Sequence, residues 1–283
     1  MMAKRDNKNR IKIFFCYIII MCFLLMGSLM YAENIALAAE KDTGRDIAEL
    51  SEEEKMVVVM IGNLKNSYGR NLKVGDFVKY RIREDEERDM SDMPEIELEI
   101  KVYKKENDAF WIVERSIQEK KAIQELHFLI DFKNMKILEL YSLYYGEKEE
   151  LPIPIMDEKE ASRICKQYKD NIKQAMEMGT IMPMPTFKFK KAAKSKDIKV
   201  PAGSFNCVCL EPKLLAEQTK KMSSEEVEEW KNQSAFYFNK GVPKLIPFSL
   251  IYAMMQAGDP DILGKVQSGL VKYYSYELID YNK

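Results

Sequence analysis

Histidine is nearly absent from this chain: His127 is the only one in 283 residues. That scarcity excludes zinc sites built on two or three imidazoles and leaves any histidine base to a single residue. No G-x-S-x-G, H-E-x-x-H or C-x-x-C-H pattern occurs, and the glycines form no phosphate-cradling loop. Asp259 and Asp261 lack the repeated oxygen ligands of a calcium loop. Cysteine is scarce as well. Of five, Cys16 and Cys22 fall in an N-terminal apolar run, which leaves Cys165, Cys207 and Cys209. Three do not make the even, dense set of a disulfide scaffold. They read as buried free thiols, with a bridge from Cys165 to Cys207 or Cys209 as the alternative.

An excess of charge of either sign is missing too, with 44 Lys+Arg against 45 Asp+Glu. Nucleic acid calls for a clustered basic surface, so it is excluded as a partner. Long hydrophobic runs are limited to one, residues 13–31, which carries no charge. Lys4, Arg5, Lys8, Arg10 and Lys12 precede it and Ala36-Leu37-Ala38 follows it. A basic opening, an apolar run and a small-x-small site make residues 1–38 a secretory signal peptide. An uncleaved anchor through residues 13–31 is the alternative, since that length can just span a bilayer. The expected location is exported, periplasmic or extracellular. No cysteine follows a small-residue box, which argues against a lipid anchor.

What is present is alternation. Ile96, Leu98, Ile100 and Val102 alternate with Glu95, Glu97, Glu99 and Lys101, so one face of this strand is apolar and the other charged. The three glutamates read as a solvated face rather than a metal or acid–base site. Val78, Tyr80 and Ile82 alternate with Lys79 and Arg81 just before them. Further strands are expected at 109–115, 125–131 and 135–144, joined by short turns, which predicts an antiparallel meander. His127 lies in one of them as a partly exposed strand residue. The charged stretch 84–92 reads as a solvated loop.

Two helices frame the meander. Ser51 and Glu54 form a capping box for a helix to about Asn66, with Met56, Val57, Met60, Ile61 and Leu64 on its apolar side. A second helix is expected at about 158–178, capped by Asp157 and Glu160 and stopped by Gly179. Its stripe is Ala161, Ile164, Cys165, Tyr168, Ile172 and Ala175, and it is long enough to lie across the open side of a sheet. Met176, Met178, Met182 and Met184 cluster behind it. Core or rim packing explains them most simply; lining of an apolar site and soft ligation of Cu(I) are the other readings.

The centre of the second half is the run from Asp197 to Leu210. Pro201 sets its own φ for the second position of a type I turn, and Gly203 takes the fourth. The flanking residues alternate, which makes a tight hairpin with Phe205, Cys207 and Cys209 on one face. An excursion at about 211–231 contains a short acidic helix from Ser223 or Ser224. Strand 235–239 follows, then residues 242–255, where Pro243 and Pro247 indicate an edge strand or bends. Residues 256–264 read as loop and Leu270–Tyr281 as one tyrosine-rich closing strand.

The Val200-Pro201-Ala202-Gly203-Ser204-Phe205 run, with Cys207 on the same face, resembles the late hairpin of the lipoprotein-carrier-like superfamily. These are extracytoplasmic half-barrel proteins similar to the periplasmic lipoprotein localisation factor. The order of helix, meander, long helix, hairpin and closing strands extends the likeness over roughly residues 74–281; the excursion departs from the compact pattern. The resemblance implies a mainly β fold with helices (α+β), a curved antiparallel sheet or half-open barrel capped by helices around an apolar ligand.

The expected organisation is therefore a signal at 1–38, a polar segment and helix at 39–72, and one half-barrel-like domain at 73–283. The expected function is non-enzymatic: an exported monomer that holds a lipid, acyl chain or lipoprotein segment without cofactor or metal. Tyr80, Leu98, Ile100, Ile164, Tyr168, Ile172 and Phe205 are the candidate lining residues. The alternative is a filled barrel that docks an envelope protein through the excursion and the acidic face at Glu95–Glu99. An enzyme whose site shows no local motif is a third class.

Overall fold

The computed structural model describes residues 50–69, 71–82, 95–151, 153, 158–177, 188–213, 223–251, 261–274 and 276–282. The expected signal segment, the 84–92 loop, Asp157, Gly179, Met178, Met182 and Met184 lie outside the described residues. Among the described residues no helix is long and apolar enough to cross a membrane.

The frame is a sheet of 12 antiparallel strands that does not close. The meander supplies β1 (Phe77–Ile82), β2 (Ile96–Glu106), β3 (Ala109–Gln118), β4 (Lys121–Asp131), β5 (Lys136–Tyr144) and β6 (Glu147–Glu150). The second half supplies β7 (Lys188–Lys191), β8 (Lys196–Val200), β9 (Gly203–Lys213), β10 (Phe236–Asn239), β11 (Gly269–Tyr273) and β12 (Tyr276–Tyr281). The spatial order is β6-β5-β4-β3-β2-β1-β12-β11-β10-β9-β7, with β8 also paired to β9. Short connections explain the meander: Glu119 (φ 50°) and Lys120 (φ 64°) alone join β3 to β4. Positive φ at both positions matches the twist of a two-residue hairpin. The hairpin of β8 and β9 closes through Pro201 and Ala202, with Val200 opposite Gly203. Gly203 has φ 139°, a backbone value that an L side chain rarely adopts.

Two expectations change and one is resolved. The closing strand is two strands, β11 and β12, which reverse at Tyr274 with φ 45°; β12 then pairs with β1 and ties the two halves together. Nothing in Tyr273-Tyr274-Ser275-Tyr276 contains the Gly, Pro or Asn that normally marks a turn. Of the edge strand or bends expected for 242–255, the described residues 242–251 take the bends. They bend through one isolated bridge, Leu245 with Tyr68, into a helical turn at 248–251. Part of the 256–264 loop is a short helix, Asp261–Gly264. Strand β6 is an addition, at the charged run Glu147-Lys148-Glu149-Glu150.

Helix α1 (Glu52–Ser67) starts at the expected box, with Ser51 Oγ accepting from Glu54 N at 3.1 Å and Glu54 Oε2 from Ser51 N at 2.9 Å. It is not a surface helix with one apolar stripe. Val57, Val58, Val59, Met60 and Ile61 are all buried, and five consecutive positions exceed one full turn. Val57, Ile61 and Leu64 join one apolar core with Val78, Tyr80, Leu98, Ile100 and Phe128 of the sheet's inner face. Helix α2 (Glu158–Glu177) packs chiefly on α1. The approach is close at Gly62, where an added Cβ would fall 2.7 Å from Cys165 Sγ. The expected stripe holds for Ala161, Ile164 and Cys165, which are buried; the side chains of Tyr168, Ile172, Ala175 and Met176 lie outside the described residues.

Candidate functional site

Five candidate lining residues belong to one extended core. Tyr80 and Ile100 have no exposed surface, and Leu98, Ile164 and Phe205 are buried in the same cluster. Tyr80 stands opposite Leu98, and Val78 opposite Ile100, so the cross-strand pairs of β1 and β2 turn these residues inward together. Phe205 reaches β12, its ring 5.7 Å from that of Tyr281, the residue opposite Val78. The inner face is packed with α1 over it.

What secures α1 there is the segment 242–251, whose contribution was invisible in the sequence. Gly69 N donates to Lys244 O at 2.9 Å, and Ile246 N to Ser67 O at 2.9 Å. Lys244 is buried, and its Nζ donates to Lys65 O at 3.2 Å and Leu263 O at 3.1 Å. It thereby satisfies carbonyls at the ends of α1 and of the short helix at 261–264. Burial lowers the Lys244 pKa to about 8. Leu245, Ile246, Leu250 and Ile251 carry the apolar side of the segment into the core.

The segment is pinned to the sheet by Glu114 of β3, whose Oε2 accepts from Phe248 N at 3.0 Å. Its cross-strand neighbours are Ile100 and Leu126, both apolar. Desolvation raises the Glu114 pKa to about 7, while the amides of Phe248 and Ser249 act in the opposite direction. Tyr80 completes the tie, its hydroxyl donating towards Leu270 O at 3.2 Å, with Leu245 O at 3.4 Å. The sequence carried no signal for Glu114: the run before it is apolar on both faces, and its place opposite Ile100 comes from the strand register.

The outer face of β2–β5 has its own cluster, and here the reading of His127 is corrected. His127 is buried, not partly exposed, because Tyr141 stacks on it at 4.6 Å and 9° while Tyr103 meets it edge-on at 5.6 Å. Trp111, Ala109 and Leu129 complete this small second core. Its signal was two-sided apolarity, Ala109–Val113 and Phe128–Ile130, where one wet face would leave alternation. Tyr103 Oη lies 3.1 Å from His127 Nδ1, and Glu125 Oε2 lies 2.8 Å from His127 Nε2. Arg115 links Glu125 to Glu99, at 3.1 Å to each.

A Tyr–His–Glu chain has the connectivity of a proton relay, yet its electrostatics oppose one. Burial and then Tyr141 push the Tyr103 phenol well above its ordinary pKa, the reverse of what a nucleophilic phenolate needs. Burial lowers the His127 pKa despite Glu125, which favours the neutral ring. The cluster fastens strands together. The neighbouring glutamates lie on the outer face, where Arg81 pairs with Glu95, Lys79 with Glu97 and Arg115 with Glu99 across the strands.

Cys165, Cys207 and Cys209 are buried thiols outside any disulfide among the described residues. Burial pushes the Cys207 thiol up to about 12 and the Cys209 thiol up to about 11, so neither is poised as a thiolate at neutral pH. Among the described residues no group of three or more His, Cys, Asp or Glu side chains is placed to hold a metal ion. Compared with known proteins, the chain matches no family model, no curated protein and no solved structure.

Proposed function

We propose that this is an exported binding protein of the lipoprotein-carrier type. It would hold a lipid, acyl chain or lipoprotein segment on the inner face of its half-barrel-like sheet once α1 moves aside. The observation that carries the reading is α1 itself, a helix whose stretch Val57–Ile61 is buried on every side in the core of a sheet that stays open at both ends. An apolar ligand would replace it against Tyr80, Leu98, Ile100 and Phe205. The polar ties at Lys244 and Glu114 anchor a segment rather than a layer of sheet. The basic and apolar segment at 1–31 and Ala36-Leu37-Ala38 support export.

Native mass spectrometry of protein recovered from its own host tests the reading: co-purifying lipid or acylated peptide is expected, and displacement of a fluorescent fatty acid should follow. Ligand-free protein that takes up no apolar probe even when α1 is loosened would overturn it. The second reading, a filled scaffold that docks an envelope protein, is favoured by the complete burial of Tyr80 and Ile100. A stable protein partner captured by cross-linking in cells, with no lipid, would select it.

A further inference from the structure

The unclosed sheet ends in two exposed edges of opposite charge. At one end β6 reads Glu147-Lys148-Glu149-Glu150, all four residues exposed, and it pairs only with β5 among the described residues. Its one cation is spent locally, since Lys148 Nζ lies 3.0 Å from Glu150 Oε1 and 4.6 Å from the Tyr141 ring centroid. Glu147 and Glu149 make no ion pair among the described residues. At the other end β7 reads Lys188-Phe189-Lys190-Lys191 and pairs only with β9 among the described residues, its three lysines exposed and Phe189 turned in against Phe236 at 5.2 Å.

Each edge carries a row of backbone donors and acceptors with no strand beyond it among the described residues. Such rows are templates for another strand, and charge on an edge is a usual guard against it. Here the guard is selective. Two β6 edges repel each other, as do two β7 edges, whereas β6 and β7 attract, and opposite charges directly across a strand pair are favourable. We propose that copies of this chain associate head to tail, β6 of one copy against β7 of the next, continuing the sheet from molecule to molecule. A heterologous contact of this kind closes into a ring or runs on as a filament. The expectation of a monomer is thereby revised, and the inference stands independently of the ligand proposed above.

Sedimentation of protein from cells expressing the full chain, at low and high salt, tests it. Wild type should associate with rising concentration at low salt, and exposed charge pairs screened by salt should weaken roughly tenfold or more at high salt. Glu147→Lys with Glu149→Lys should abolish association, as should Lys190→Glu with Lys191→Glu, since each makes both edges alike. Mixing these two variants should restore it, which also shows that both are folded; wild type and variants share one N-terminal segment, so apolar self-association through it cancels. A wild type monomeric throughout, as when the sheet closes on itself or β7 takes an unrelated acidic partner, overturns the proposal. So does association that survives both reversals, or a mixture that stays monomeric.

Discussion

Phe248 donates its backbone N–H to the Glu114 carboxylate at 3.0 Å, joining two residues that are 134 positions apart. This bond helps fasten the segment that holds α1 to the inner face of the sheet. Its strength depends on pH because the acceptor is desolvated.

Glu114 has its pKa raised from 4.5 to about 7 in the folded chain. A carboxyl raised on folding contributes stability that is complete below about 4.5 and is lost as pH rises through about 7. The shift corresponds to something on the order of 3 kcal/mol. Denaturant midpoints of wild type and Glu114→Gln, compared across that window, should diverge, with the variant flatter. Parallel pH profiles would show that the carboxylate is not withdrawn from water.

Lys244→Ala removes the donor shared by Lys65 O and Leu263 O. Leaving buried acceptors without a partner should cost about 1–3 kcal/mol. Hydrogen exchange should quicken first in the last turn of α1, at Tyr68 N, which bonds to Leu64 O at 3.0 Å. Uniform quickening across the sheet instead would mean that Lys244 does not act on α1 in particular.

Gly62 leaves room for Cys165, so Gly62→Val should overpack the contact of α1 with α2 and cost about 1–3 kcal/mol. Cys165→Ala should relieve part of that cost. A double-mutant cycle is expected to give a coupling above about 0.5 kcal/mol; additive effects would separate the two helices at this point.

Ile164 is 1% exposed, and Ile164→Ala should cost about 2–5 kcal/mol by urea denaturation, the range for emptying a buried aliphatic site. A loss below about 1.5 kcal/mol together with weaker binding of an apolar dye would instead identify α2 as a loosely held lid over an open site.

Alternation and turn chemistry are local properties, and they carried the strand pattern. The faces of β1 and β2, the Pro201-Ala202 hairpin and the capping box at Ser51 and Glu54 were legible because each depends on a few neighbouring residues. Of the candidate site, Tyr80, Leu98, Ile100, Ile164 and Phe205 were legible as inward-facing apolar residues for the same reason. Their common core came only with the tertiary structure, because period two says which face a residue takes and not what covers that face. The turn at Tyr274, the bends of 242–251 and the burial of His127 were settled by distant partners: β1 receiving β12, the end of α1 pairing with residues 244–246, and Tyr141 stacking from β5. Glu114 shows the division most clearly. In the sequence its charge merely follows a run that is apolar on both faces; only the tertiary structure turns it inward opposite Ile100 and brings Phe248 from another part of the chain as its donor.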